Sequence, residues 1–192
     1  MPRRSPGAPR APVTFIAFLR AINVGGRTVR METLRDCFAS LDLTDVQTVI
    51  ASGNVIFSSP LSDVRVLEPR IEQHLRAALG YEVATFLRTP AEVASVAACD
   101  AFPGAGAGGS DYPVYVVFTR ARPEAADERK LLTFANEVDD FRVHGREIYW
   151  AARRGMGKST FSGARLEKII RMPATARNIT TVRKLAVMMA GR

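Results

Sequence analysis

The sequence contains few of the residues that hold small secreted domains together or bind metal ions. It has only two cysteines and two histidines among 192 residues. Cys37 and Cys99 each lie alone on a segment that is predicted to be helical, which is typical of reduced thiols in a cytosolic protein. Together with His74 and His144 they form no cluster with the spacing of a metal site. We therefore predict no disulfide, no metal ion and no cofactor.

Long apolar runs are also absent. The run from Val13 to Leu19 stops at Arg20, and it is far shorter than the roughly 18 residues that a membrane-spanning helix requires. Residues 1–12 carry paired arginines, but no segment of the cleavage type follows them, so we predict a disordered basic tail. These features predict a cytoplasmic protein without a membrane partner.

Acidic residues are scarce at both ends of the chain, although the net charge is only +8. Residues 1–30 contain six arginines and no acid, and residues 151–192 contain ten basic residues and the single acid Glu167. Residues 31–150 contain eleven basic and eighteen acidic residues. This distribution indicates either a basic face for a polyanion or a generally arginine-rich protein whose charges are solvated.

The hydrophobic periodicity predicts two successive halves with the same order of elements. In the first half the predicted strands are residues 13–19, 46–50, 55–57 and 82–87, and the predicted helices are residues 29–41 and 64–80. In the second half the predicted strands are residues 112–119, 141–143, 148–150 and 174–177, and the predicted helices are residues 123–137, a segment around 166–170, and a last helix beginning at Asn178. Each half thus has the order βαββαβ, which is that of the ferredoxin-like unit.

We therefore predict an α+β protein of two ferredoxin-like (α/β-plait) halves, each an antiparallel sheet with helices on one face. The halves are expected at residues 13–88 and 112–192, the second including the C-terminal helix. Residues 89–111 would connect them by a helix and a Gly-rich linker. Thr89 and Glu92 fit a capping box at the start of that helix. The duplication is predicted from element order, because no repeat is evident residue by residue.

Two loops of the first half are candidates for ligand binding. In a βαββαβ unit the loop after the first strand and the β2–β3 hairpin lie at the same end of the sheet. The first loop contributes Arg20, Asn23, Gly25 and Gly26, and the hairpin contributes Ser52, Gly53 and Asn54. Such small residues permit close approach of a ligand to the backbone, and they are equally what a tight turn requires.

A second candidate is the segment GMGKST at residues 155–160, which is predicted to precede a helix. Gly155 and Gly157, the Lys158 charge and the Ser159 hydroxyl resemble the end of a phosphate-binding loop. The position that needs the first glycine of such a loop is Ala152, so a nucleotide triphosphatase is not expected. The alternatives are anion binding at a helix start, and a glycine turn followed by Ser/Thr capping.

The segment before the last helix offers a third candidate. Arg177 could hold a phosphate or a carboxylate through two hydrogen bonds. Asn178 is better explained as the cap of that helix.

Four short segments occur in an order that carries a family resemblance. They are AFLRAINVGG (17–26), VIASGNVIFSS (49–59), GMGKS (155–159) and TARNITTVRKL (175–185). Together they resemble the bacterial domain-of-unknown-function family 1697, with Ala21 and Ala51 where that family's pattern has Gly and Gln. The resemblance covers roughly residues 13–190. It implies the double α/β-plait fold and implies no reaction.

Three functions fit these observations. The first is binding of a phosphate-bearing or polyanionic ligand, with nucleic acid among the candidates, through the basic Gly-rich loops. The second is an enzyme that acts on a small phosphorylated or acidic metabolite in the groove between the halves. The third is a structural or oligomeric partner protein. The sequence assigns no catalytic residue, no ligand identity and no oligomeric state.

Overall fold

The computed structural model describes residues 11–23, 28–49, 53–103, 112–159 and 161–191. The elements are, in chain order, β1 (Val13–Leu19), α1 (Met31–Ala39), β2 (Thr44–Val49), β3 (Asn54–Ser59), α2 (Val64–Leu79), β4 (Thr85–Arg88), α3 (Pro90–Ala98), β5 (Val114–Thr119), α4 (Ala125–Leu132), β6 (Asp139–His144), β7 (Glu147–Ala152), a 3₁₀ turn (Met156–Lys158), α5 (Gly163–Ile170), β8 (Ala174–Asn178) and α6 (Ile179–Ala190). Most of the predicted basic tail, residues 1–10, lies outside the described residues.

The described strands form two four-stranded antiparallel sheets with the same topology. The first has the order β2-β3-β1-β4 and the second the order β6-β7-β5-β8. In each sheet the first strand of the half lies between the third and the fourth. The prediction of an α+β fold with two ferredoxin-like halves is therefore confirmed. In the part of the chain that the structure describes, no helix is both long and apolar enough to cross a membrane.

Side chains that alternate along the strands separate three apolar layers. Phe15, Ala17 and Leu19 of β1 pack against α1 and α2 in an outer core. Ile16 and Phe18 point to the other face and pack against the second sheet in a central core. A further outer core lies between the second sheet, α4 and α5. The two sheets thus pack face to face, and their outer faces are covered by helices.

The helices α3 and α6 extend the central core. Each follows the last strand of its half, and they pack against each other through residues that include Val93 of α3 and Val182 of α6. Thr89 forms the predicted capping box with Glu92 at the start of α3. The Asn178 side chain accepts a hydrogen bond from the Thr180 amide at the start of α6, as predicted.

The contacts between the halves are reciprocal, which reveals a repeat that the sequence does not show. Phe18 and Phe118 stack at the centre, with their ring centroids 3.9 Å apart and an angle of 10° between the ring planes. Phe18 pairs with Asn54 across β1 and β3, and Phe118 pairs with Glu147 across β5 and β7. Equivalent residues of the two halves therefore meet, as at an interface with two-fold symmetry.

Two buried arginines complete this symmetric arrangement. Arg88 of β4 donates to the Thr119 carbonyl of the second half, and Arg177 of β8 donates to the Leu19 carbonyl of the first half, both over 2.8 Å. Each guanidinium also lies over the central phenylalanine of the opposite half, with Arg88 over Phe118 and Arg177 over Phe18. The two arginines thus connect each half to the end of the other half's first strand.

Candidate functional site

The loop after β1 and the β2–β3 hairpin do lie at the same end of the first sheet. The Leu19 amide donates to the Gly53 carbonyl over 2.9 Å. Asn23 uses its side chain to close its own loop, since Oδ1 accepts from the Val29 amide over 2.7 Å. Of the seven candidate residues in these loops, Gly25, Gly26 and Ser52 lie outside the described residues.

Gly53 has a structural reason to be glycine. Its φ is +77°, in the left-handed region that other residues adopt only with strain. A Cβ at this position would lie 2.5 Å from Cγ2 of Ile22 and 3.3 Å from Cβ of Leu19. The close approach at this glycine is therefore to the chain's own side chains.

Arg177 is nine-tenths buried, and its donors are used within the chain. Nε donates to Oδ1 of Asn54 over 2.7 Å, and the two terminal nitrogens donate to the Thr175 hydroxyl and to three backbone carbonyls. These acceptors are neutral, and burial lowers the pKa of Arg177 to about 10. With five donors engaged in this way, the guanidinium connects β8 to β1 and to the hairpin.

The GMGKS segment follows β7 and precedes α5, as predicted, but it contains a 3₁₀ turn and does not itself form the start of α5. β7 ends at Ala152, and α5 begins at Gly163 with the Ser162 side chain as its cap. The Ser159 hydroxyl donates to Oδ2 of Asp139 over 2.9 Å, so this side chain holds the segment on β6. The separation arises because Ser162, with its Oγ accepting from the Arg165 amide, begins the helix instead.

Lys158 remains the exposed cation of that segment. Its side chain has no ion pair within the described parts of the chain. Its backbone amide donates to the Gly155 carbonyl over 3.1 Å. No hydrogen bond or ion pair joins residues 153–159 to Arg177 among the described residues. The predicted anion-binding residues are thus divided between two places.

A groove between the halves brings together cations that the sequence analysis did not connect. It consists of two adjoining cavities of about 400 and 430 Å³ that share Glu82, Ala84 and Pro173. The first cavity is also lined by Arg76 on α2 and by Arg120, which follows β5. The second is lined by Arg20, Lys168 and Arg171. We call these two cavities together the inter-half groove.

Most arginines of the groove are held by carboxylates. Arg20 donates two hydrogen bonds to the carboxylate of Glu167, from Nε to Oε1 over 2.5 Å and from a terminal nitrogen to Oε2 over 2.7 Å. Arg171 contacts Asp127 and Glu124, and it keeps 63% of its side chain exposed. Lys168 is exposed and has no ion pair in the described part of the chain. The cations are therefore oriented by carboxylates and remain accessible from the groove.

One carboxylate beneath the groove is buried. Glu68 on α2 accepts from the Leu87 amide over 2.9 Å, and its other oxygen lies 3.1 Å from Nε of Arg120. Burial raises the pKa of Glu68 above its ordinary value, while the Leu87 amide and the positive charges of Arg120, Arg88 and Arg146 oppose this shift. Arg120 of the second half is thus anchored on α2 of the first half.

Ion pairs neutralise part of the charge that the sequence concentrates in its last part. Arg153 pairs with Asp140, and Arg171 pairs with Asp127, so basic residues of the C-terminal segment meet acids of the central segment. The two basic ends also meet each other in the pair of Arg20 with Glu167. Linear clustering of charge therefore does not translate into an equally basic surface at these residues.

The groove and the GMGKS segment lie at opposite ends of β5. Arg120 follows the last residue of this strand, whereas the Ala152 amide at the edge of the GMGKS segment donates to the Pro113 carbonyl just before the strand begins. Six strand residues span roughly 20 Å, so the two places are about that far apart along the strand.

No group of three His, Cys, Asp or Glu side chains suited to a metal ion occurs among the residues with a described position.

Comparison with known proteins identifies the family. Residues 13–149 match the family described as "Protein of unknown function (DUF1697)", so the chain belongs to this family, as its motifs indicated. A solved structure described as that of conserved bacterial protein SP0830 from Streptococcus pneumoniae is similar in fold, with a TM-score of 0.66 and 20% identity. The similarity covers 94% of this chain and 99% of that one. No protein with a curated description matches the chain.

Proposed function

We propose that the protein binds a small phosphate-bearing ligand in the inter-half groove. The observation that carries the proposal is the convergence of five cationic side chains from both halves on one concavity. Its two cavities have volumes within the range of roughly 300 to 1,000 Å³ that is usual for small-molecule sites. Arginine and lysine are the side chains that bind phosphate oxygens most strongly.

The exposure and the fixed orientation of the cationic side chains support an anionic ligand. Lys168 has an exposed ammonium group and no ion pair in the described regions, and half of the Arg120 side chain is exposed. The carboxylates that contact Arg20, Arg120 and Arg171 fix these guanidinium groups before any ligand arrives. Such preorganisation lowers the entropy lost on binding.

A small ligand fits this arrangement better than a nucleic acid. An extended polyanion is usually held along a groove or stripe in which positive charge continues. In the inter-half groove Glu82 lies between the cations of the two cavities, and in the C-terminal segment Arg153 and Arg171 already contact acids. An enzyme acting on a small phosphorylated metabolite would use the same groove, and turnover of a bound compound would identify it.

The GMGKS segment is a second candidate for the anion site. Lys158 is exposed and has no carboxylate partner among the described residues. The space beside Gly157 is open, since a Cβ on Gly157 would meet nothing within 4 Å. Gly155 has a φ of +77°, which permits the turn after β7. Mutation of Lys158 and mutation of Lys168 distinguish binding at this segment from binding in the groove.

The test is thermal unfolding of the protein with inorganic phosphate and with small phosphorylated compounds, at low and high salt. A ligand at 100 times its dissociation constant should stabilise the protein by about 2.7 kcal/mol. Lys168→Gln should abolish most of the shift in melting temperature. Lys184→Gln on α6 removes another exposed charge, outside the groove, and is the matched control.

The outcome for Lys158→Ala decides between the two sites. If this variant binds as the parent protein does and Lys168→Gln does not, the groove is the site. If Lys158→Ala alone abolishes the shift, the GMGKS segment is the site and the proposal for the groove is wrong. A protein that no phosphate-bearing compound stabilises would contradict both.

A further inference from the structure

The cations of the inter-half groove form two separate groups. Arg76 and Arg120 line the first cavity, whereas Arg20, Lys168 and Arg171 line the second. The residues common to both cavities are Glu82, Ala84 and Pro173, and none of them is cationic. The first cavity is also lined by Glu72, which pairs with Arg120, and the second by Glu167, which pairs with Arg20. Each end of the groove therefore holds cations beside a carboxylate, and the shared section between the ends holds no cation.

The groove is also longer than one phosphate group requires. The first cavity follows α2 from Pro69 to Arg76, and seven helical residues correspond to roughly 10 Å. The second cavity continues past Pro173 to Lys168 on α5. A single phosphate placed in one cavity therefore does not reach the cations of the other.

The central section favours an uncharged polar part of the ligand. An ionised carboxylate such as Glu82 accepts hydrogen bonds and donates none, and it repels an anion placed beside it. Its side chain is 82% exposed and lies 3.3 Å from Arg76 at the closest nitrogen–oxygen distance. Ala84 and Pro173 present carbon atoms on the same section. Hydroxyl groups on a short carbon chain match both features.

We propose that the natural ligand of the groove is a doubly anionic small molecule, with a phosphate or carboxylate at each end and a hydroxyl-bearing middle. This inference rests on the proposed function. One anionic end contacts Arg76 and Arg120, and the other contacts Lys168 and Arg171. The middle lies against Glu82 and donates hydrogen bonds to it.

The experiment compares three forms of one sugar skeleton by calorimetric titration, using a three-carbon and a six-carbon series. The forms carry one terminal phosphate, a phosphate at each end, or a pyrophosphate at one end. The pyrophosphate form concentrates its charge at a single end and controls for charge alone. We expect the form with two phosphates to bind at least tenfold more tightly than the other two in one of the series, because each end gains charge-assisted hydrogen bonds.

Two variants locate the ends. Arg76→Gln and Lys168→Gln change exposed side chains, and each should reduce the affinity for the doubly phosphorylated form about tenfold. Lys184→Gln should leave that affinity unchanged. For the singly phosphorylated form only one of the two groove variants should matter, since a single phosphate occupies one cavity.

The possible failures are distinct. If no phosphorylated compound binds, the proposed function is wrong and this inference falls with it. If the singly phosphorylated compounds bind and either Arg76→Gln or Lys168→Gln weakens their binding, the proposed function holds. Equal affinity of the forms with one phosphate, with two separated phosphates and with a pyrophosphate would then overturn the doubly anionic ligand.

Discussion

Arg177 donates from Nε to Oδ1 of Asn54 over 2.7 Å, across the boundary between the two halves. The equivalent donor of Arg88 contacts a carboxylate, Oε1 of Glu147, over 2.6 Å. The same position of the fold therefore holds a buried guanidinium against a neutral amide in one case and against an anion in the other. The protein thus contains its own comparison of a buried ion pair with a buried neutral contact.

This comparison predicts that Glu147→Gln folds and is moderately destabilised. A glutamine keeps an oxygen acceptor for Arg88, as Asn54 does for Arg177, but the charge of the guanidinium is no longer balanced. We expect a loss of about 1–2 kcal/mol in the free energy of unfolding, measured with urea. Glu147→Ala leaves Nε of a fully buried arginine without that acceptor, and it should cost about 3–5 kcal/mol.

The order of these two variants is the decisive result. If Glu147→Gln destabilises the protein as much as Glu147→Ala, the charge rather than the hydrogen bond holds Arg88. The comparison of Arg88 with Arg177 would then not extend to the energetics.

Gly53 and Gly145 provide a matched pair of hairpin glycines. Both have positive φ, +77° and +62°, so alanine at either position incurs a strain of about 1–2 kcal/mol. A Cβ at Gly145 meets only Oε2 of Glu147 at 3.7 Å, whereas one at Gly53 overlaps Ile22. We expect Gly53→Ala to lose about 2–5 kcal/mol and Gly145→Ala about 1–2 kcal/mol in urea unfolding. Equal losses would show that the contact with Ile22 relaxes without cost.

Glu68 predicts a specific dependence of stability on pH. Burial raises its pKa above the ordinary value of 4.5, so the folded protein keeps this proton at pH values at which the unfolded chain has lost it. The contribution of Glu68 to the free energy of unfolding is therefore fully present below pH 4.5, and it is lost as the pH rises through the folded-state pKa. Glu68→Gln keeps an oxygen for the Leu87 amide and cannot titrate.

The measurement is the difference in unfolding free energy between Glu68→Gln and the parent protein from pH 4 to 8. Because acids with lowered pKa, such as Glu92 and Asp140, are present in both proteins, their contributions cancel. The variant should gain stability relative to the parent as the pH rises above 4.5, and the gain should then level off. A difference that is independent of pH would mean that folding does not change the pKa of Glu68.

The order of elements could be predicted from the sequence because each element has a local pattern. Even the short closing strand, predicted at residues 174–177, is present as Ala174–Asn178. The helix predicted for residues 123–137 is shorter, Ala125–Leu132. It ends early because Oδ1 of Asn136 accepts from the amides of Val138 and Asp139 and forms a turn that leads into β6. Such competing local hydrogen bonds are not visible in hydrophobic periodicity.

The candidate site could be predicted only in fragments. Arg20 was expected near a ligand and does line the groove, but the other cations lie on three further segments, with Arg76 on α2, Arg120 after β5, and Lys168 and Arg171 at the end of α5. Only the packing of the halves brings them together, so no linear motif marks them. Arg88 and Arg177 were missed as buried contacts because an arginine on a short strand is ordinarily solvent-exposed. The GMGKS motif was recognisable in the sequence, but Ser159 anchors it on β6, away from the groove.

The reciprocal contacts between the halves have a consequence for synthesis on the ribosome. The inner face of the first sheet, with Phe18 at its centre, is covered in part by α3, and the rest of it is covered only after β5 and α6 have been made. The Leu19 carbonyl receives its hydrogen bond from Arg177, 158 residues later in the chain. A nascent first half therefore presents apolar sheet surface for as long as the second half is being translated, and surface of this kind makes an incomplete chain prone to aggregate.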